Sequence, residues 1–127
     1  MQQQHLFEYA VIRFVPRVER EEFLNTGIVL YCKQQQFLKT RFSVNEDRIL
    51  CLSPEADIQE IKDHFDAFQK IAGADLNGGP IARLDIASRI RWLTATRSTI
   101  IQSSKVHTGF CSDLELALEK LHKQLVE

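Results

Sequence analysis

The sequence predicts an α+β fold: a mostly antiparallel sheet of about four strands with about three helices packed on it, in the order β-β-β-α-α-β-α. Three observations carry this. The N-terminal third holds three runs rich in β-branched and aromatic residues, separated by polar turns. Two stretches with apolar residues at steps of three and four follow. A short β-branched run then precedes a last amphipathic stretch.

Residues 6–15, "LFEYAVIRFV", form the first strand. Phe7, Tyr9, Val11 and Val15 share one face, and Ala10, Ile12 and Phe14 the other, as in a strand covered on both sides. Pro16 ends it. Strand chemistry resumes near Thr26 in "LNTGIVLYC", with Asn25 and Gly27 suited to a turn or bulge. "KQQQ" turns the chain into "FLKTRFS", where Leu38 and Phe42 alternate with Lys39 and Arg41, so this strand has one wet face. "NEDRILCLS" reads as irregular or a brief helix. Ser53 offers an N-cap with Pro54 at the first helical position. The first full helix then carries Ile58, Ile61, Phe65, Phe68 and Ile71 and stops at Gly73. A second helix is predicted from about Ile81 to Thr94, with Leu84, Ala87, Ile90 and Leu93 on one stripe. "STIIQS" at 98–103 is the fourth strand, expected to pair with one of the first three. The last helix opens on a capping box, Ser112 to Glu115, and runs through Leu114, Ala117, Leu118, Leu121 and Leu125.

At 127 residues the chain fits one domain over 1–127. Sixteen basic residues against seventeen acidic ones give a formal charge of -1. Such a chain has no global field to attract nucleic acid or an anionic membrane, which argues against both partners. No apolar run approaches the roughly 20 residues of a membrane span. The N-terminal stretch alternates like a strand and lacks a basic leader, so it does not read as a signal peptide. Cys32, Cys51 and Cys111 are odd in number and contain no C-x-x-C pair, which argues against disulfides and a zinc site and fits a reducing cytoplasm. No cofactor is expected: "NGGP" at 77–80 follows a helix rather than a strand, unlike a phosphate-binding loop. His64 with Glu60 has metal-pair spacing but lacks H-E-x-x-H, so no metal is expected either. His5 and His122 read as superficial.

Three groups of residues carry candidate chemistry. Arg13 lies on a strand face that is otherwise apolar and needs either a carboxylate or a bound anion. Glu19 or Glu22 is placed to supply that carboxylate after the turn at Pro16. Arg83, Arg89, Arg91 and Arg97 cluster on the second helix and its exit. Arg83 and Arg91 fall about 80° apart around a helix, while Arg89 points nearly opposite Arg91, so a solvated face competes with an acidic-partner or phosphate patch. His107 sits in a loop of small polar residues after Arg97 and Ser98, where an imidazole can serve as acid, base or phosphate donor. No G-x-S-x-G or S-x-x-K accompanies it.

Three stretches together resemble a small bacterial family known as domain of unknown function 3037. "YAVIRFVPRVEREEFLNTGIVLYC" matches its opening at Tyr9, Arg13, Pro16, Arg20, Glu22, Phe23, Asn25 and Gly27. "SRIRWLTATRSTIIQSSKVHTG" matches its second signature at Arg89, Trp92, Leu93, Arg97, Ser98, Gln102, Val106, His107 and Gly109. The closing helix fits as well. Lys105 departs from the pattern, standing where members often carry proline, which relaxes the turn before His107. The resemblance implies a bacterial cytosolic protein, often encoded beside a HipA-like kinase similar to those of toxin–antitoxin pairs.

Two functions are expected from different classes. The first is a non-enzymatic accessory module that binds a protein partner, such as that kinase-like neighbour, through a sheet edge or the Arg89, Arg91 and Arg97 surface. The alternative is an enzyme or binder of a phosphorylated small molecule or nucleotide. There Arg13, Arg97 and His107 hold the anion, with Asn25 and Ser98 nearby. This alternative requires Arg13 and His107 to share a face.

Overall fold

Strand β1, His5–Phe14, forms the middle of the molecule and takes neighbours on both sides. The computed structural model describes residues 3–97 and 99–127. On one side β1 pairs with β2, Leu24–Cys32, which pairs in turn with β3, Phe37–Phe42. On the other side, Ile12–Phe14 pair with β4, Ile101–Ser103, and His5–Tyr9 pair with β5, His107–Cys111. All four pairings are antiparallel.

Among the described residues four α-helices complete the fold: α1, Glu46–Leu52; α2, Ile58–Ala72; α3, Ile86–Leu93; and α4, Leu114–Leu125. The alternation of β1 divides two cores between the sheet faces. Ala10, Ile12 and Phe14 join Val29, Leu38, Phe65, Phe68 and Leu93 on the face carrying α1, α2 and α3. Phe7 and Val11 join Ile28, Leu30, Leu114 and Leu118 on the face carrying α4. The apolar character of both faces of β1 is thus a consequence of its central place. Lys39 and Arg41 of β3 stay exposed, as their alternation with Leu38 and Phe42 predicts.

The structure is α+β with one more strand and one more helix than the sequence reading. The extra strand is β5, expected as part of a turn. Its separation from β4 has a specific cause at Ser104. The Val11 N–H donates to the Ser104 hydroxyl at 2.8 Å, while the Ser104 N–H donates to the Val11 carbonyl at 2.8 Å. A side chain replaces one ladder carbonyl, the strand breaks, and pairing with β1 resumes at His107. The polar "SSK" that makes this break hid the strand beyond it.

Helix starts also shift. Ser53 is the C-terminal cap of α1, whose N-cap is Asn45. Helix α2 begins after Asp57, whose carboxylate accepts the Glu60 N–H. The predicted helix from Ile81 divides into a 3-10 turn, Ile81–Arg83, and α3, because Leu84 and Asp85 are extended. Asp113, not Ser112, caps α4 by accepting the Leu116 N–H.

Candidate functional site

Arg13, Asn25 and His107 lie on one face of the sheet, the face that α4 covers over β2 and β3. Arg13 stands across from Asn25 on β2 and from Gln102 on β4, so the three form a row perpendicular to the strands. His107 stands beside Tyr9, ring centroids 5.4 Å apart. Tyr9 is four residues from Arg13 along β1, roughly 13 Å at strand rise. The face that the anion-binding alternative requires Arg13 and His107 to share is present.

The ion pair expected for Arg13 is not formed. Glu22 pairs with Arg20 instead, and no described carboxylate is within ion-pair range of Arg13. The guanidinium lies under the Phe23 ring, 4.0 Å from its centroid. Its Nε is sealed from solvent with no acceptor among the described residues. Asn25 is half satisfied. Its amide nitrogen donates to the Leu125 carbonyl at 3.0 Å, while its Oδ1 is sealed without a donor.

The arginines of the helix side are separated from this row by the sheet. Arg89 donates to the Ile71 and Ala72 carbonyls at 3.1 and 2.7 Å and to the Leu84 carbonyl at 3.1 Å, closing the C-terminal end of α2. Arg97 lies over Trp92, 4.2 Å from its ring centroid, and donates to the Trp92, Leu93 and Ala95 carbonyls at the end of α3. Burial holds its pKa below the ordinary arginine value. Arg91 alone of the three is exposed, and its one hydrogen bond among the described residues is to the Ser88 hydroxyl at 3.4 Å. Arg89 and Arg97 therefore serve helix ends and do not form a free patch with Arg91. Ser98 lies outside the described residues.

Sequence reading missed two features. His122 is 2% exposed, not superficial, and its Nε2 is 2.6 Å from the Ser43 hydroxyl. Burial, then the Arg41 guanidinium, push its pKa below 6.5. A hydroxyl on an imidazole is the first half of a nucleophile–base arrangement. Its Nδ1 has no partner among the described residues, so no third group orients the ring. The pair ties α4 to the end of β3, beside a surface groove of about 620 Å³ that Ser43, Asn45 and Arg48 help line.

The second feature is apolar. Leu6 of β1 and Phe110 of β5 are direct cross-strand partners on the face that carries α1–α3, beyond the reach of those helices. They are 52% and 70% exposed, and Val106 just before β5 is 46% exposed. Period-two reading of "HTGFC" would have placed Phe110 opposite His107 and Gly109. Elsewhere, a groove of about 600 Å³ runs between Pro16–Arg20 and the α1–α2 connection. Among the described residues, no group of three or more His, Cys, Asp or Glu side chains is placed to hold a metal.

The family model described as Protein of unknown function (DUF3037) matches residues 9–126, nearly the whole chain. The chain belongs to this family. The matched span contains the Arg13 row, His107, all of β5 and the Ser43–His122 pair. No curated protein and no solved structure matches the chain.

Proposed function

We propose that this member of the family is a non-enzymatic accessory protein of the bacterial cytoplasm that binds a protein partner along the free edge of β5. The observation that carries the reading is the exposed Leu6–Phe110 pair on an edge strand. Exposed apolar side chains that cluster at an unpaired edge are surfaces for association. The two sheet edges differ in defence. Strand β3 presents Lys39 and Arg41, which discourage strand addition, whereas residues 107–111 include no lysine, arginine, acidic residue or proline. An extended partner segment adding to β5 would satisfy its outward backbone groups and cover Phe110.

No helix among the described residues is long and apolar enough to cross a membrane. The HipA-like kinase suggested by the family resemblance is the first partner to try.

Binding of the purified kinase-like neighbour to the chain and to Phe110→Lys, by calorimetry, tests the proposal. Loss of one buried aromatic contact, about 2 kcal/mol, corresponds to roughly thirtyfold weaker binding. Equal binding by the variant removes β5 from the interface. Absence of binding by the natural chain removes the kinase.

A further inference from the structure

The edge of β5 also carries a preference for the kind of segment it accepts, an inference that rests on the strand-addition reading. Two cross-strand rows reach this edge on the face of Leu6. The first is Leu6–Phe110, exposed and apolar. The second, two residues along, is Tyr31–Glu8–Thr108. Tyr31 is buried at the inner end of that row, whereas Glu8 and Thr108 are exposed. The Glu8 carboxylate has no ion-pair partner among the described residues. An unmatched negative charge thus stands beside an apolar pair, one small side chain away from the edge.

We propose that β5 takes an extended polypeptide segment in which a basic residue stands two positions from a large apolar one. A segment added to β5 places one side chain beside Thr108 and another beside Phe110, two residues apart on one face. The side chain beside Phe110 covers its ring. The side chain beside Thr108 starts two strand spacings from Glu8, about 9.6 Å. Threonine is too short to fill that gap, so an arginine or lysine reaching inward meets the glutamate reaching outward. A neutral side chain there covers Glu8 without compensating it, and an acidic one sets two like charges together. Apolar residues at both i−2 and i+2 of the basic residue satisfy the two rows whichever way the segment runs.

The experiment is an amide NMR titration of the intact chain with three acetylated and amidated heptapeptides. Each has threonine at its odd positions, valine at the second and sixth, and arginine, glutamine or glutamate at the fourth. The expected result is saturable shifts across residues 107–111, with arginine about fivefold tighter than glutamine and glutamate the weakest. Glu8→Lys, at an exposed position, should reverse the order of arginine and glutamate. Shifts at 107–111 that ignore the central residue overturn the charge preference and leave docking at β5 standing. Absence of shifts there with all three peptides overturns strand addition, and the preference with it. The comparison of peptides uses the natural chain and does not depend on the variant folding.

Discussion

At the residue scale, the polar groups sort by what they touch. Arg97 occupies three carbonyls and the Trp92 face, whereas Arg91 reaches only a serine hydroxyl at 3.4 Å. Arg97→Ala should lower stability by about 1–2 kcal/mol in urea unfolding, and Arg91→Glu should leave it within about 0.5 kcal/mol. Equal effects would show that Arg97 does not hold the end of α3. His122 gives a pH prediction with a defined sign. Its folded pKa lies below the ordinary 6.5, through burial first and Arg41 second. The unfolded chain therefore binds the proton more readily. The stability tied to neutral His122 is fully present above pH 6.5 and is lost as pH falls through the lower folded value. Denaturant midpoints should drop as pH is lowered from 6.5, before carboxylates titrate near about 4, and His122→Gln should flatten that part of the curve. An unchanged slope in the variant would locate the effect elsewhere.

At the element scale, what the sequence made legible follows from how local each cause is. The two apolar faces of β1 and the stripes of α2 and α4 repeat over ten residues or more, so burial can be read from spacing. Gly27 was legible as special, but its reason is tertiary. A Cβ there would sit 2.2 Å from Phe42 Cδ1 and 2.8 Å from the Arg41 carbonyl oxygen, and Phe42 is fixed by stacking on Phe65 at 4.4 Å. Gly27→Ala should cost about 1–3 kcal/mol by overpacking, measured by urea unfolding; a neutral result would mean that Phe42 is free to move. Strand β5 was not legible because the break before it is made by one serine hydroxyl acting on a strand more than ninety positions away. The division of the Ile81–Thr94 stretch likewise depends on two extended residues, Leu84 and Asp85, that interrupt an otherwise continuous stripe. Of the candidate residues, Arg13, Asn25 and His107 fall on one face of the sheet, which the anion-binding alternative required of Arg13 and His107. The missing carboxylate of Arg13 and the carbonyl partners of Arg89 and Arg97 depend on contacts no spacing encodes.

At the scale of the whole molecule, the asymmetry of cover is what gives the protein surfaces to use. Helices α1–α3 bury the central part of one face but stop short of Leu6 and Phe110. On the other face, α4 packs over β2 and β3 and reaches Asn25 through the Leu125 carbonyl. One face thus ends in an apolar edge and the other in a polar row. Replacing Phe110 by lysine should disable the first while leaving stability within about 0.5 kcal/mol, since the side chain supports no core.

Amide hydrogen exchange of the chain alone and in complex with the proposed kinase-like partner tests docking at β5 most directly. Strand addition predicts slowed exchange across residues 106–111, with α3 and β3 unchanged and the complex lost in Phe110→Lys. Slowed exchange confined to Ile86–Leu93 or Phe37–Phe42, with residues 106–111 unprotected, would contradict it.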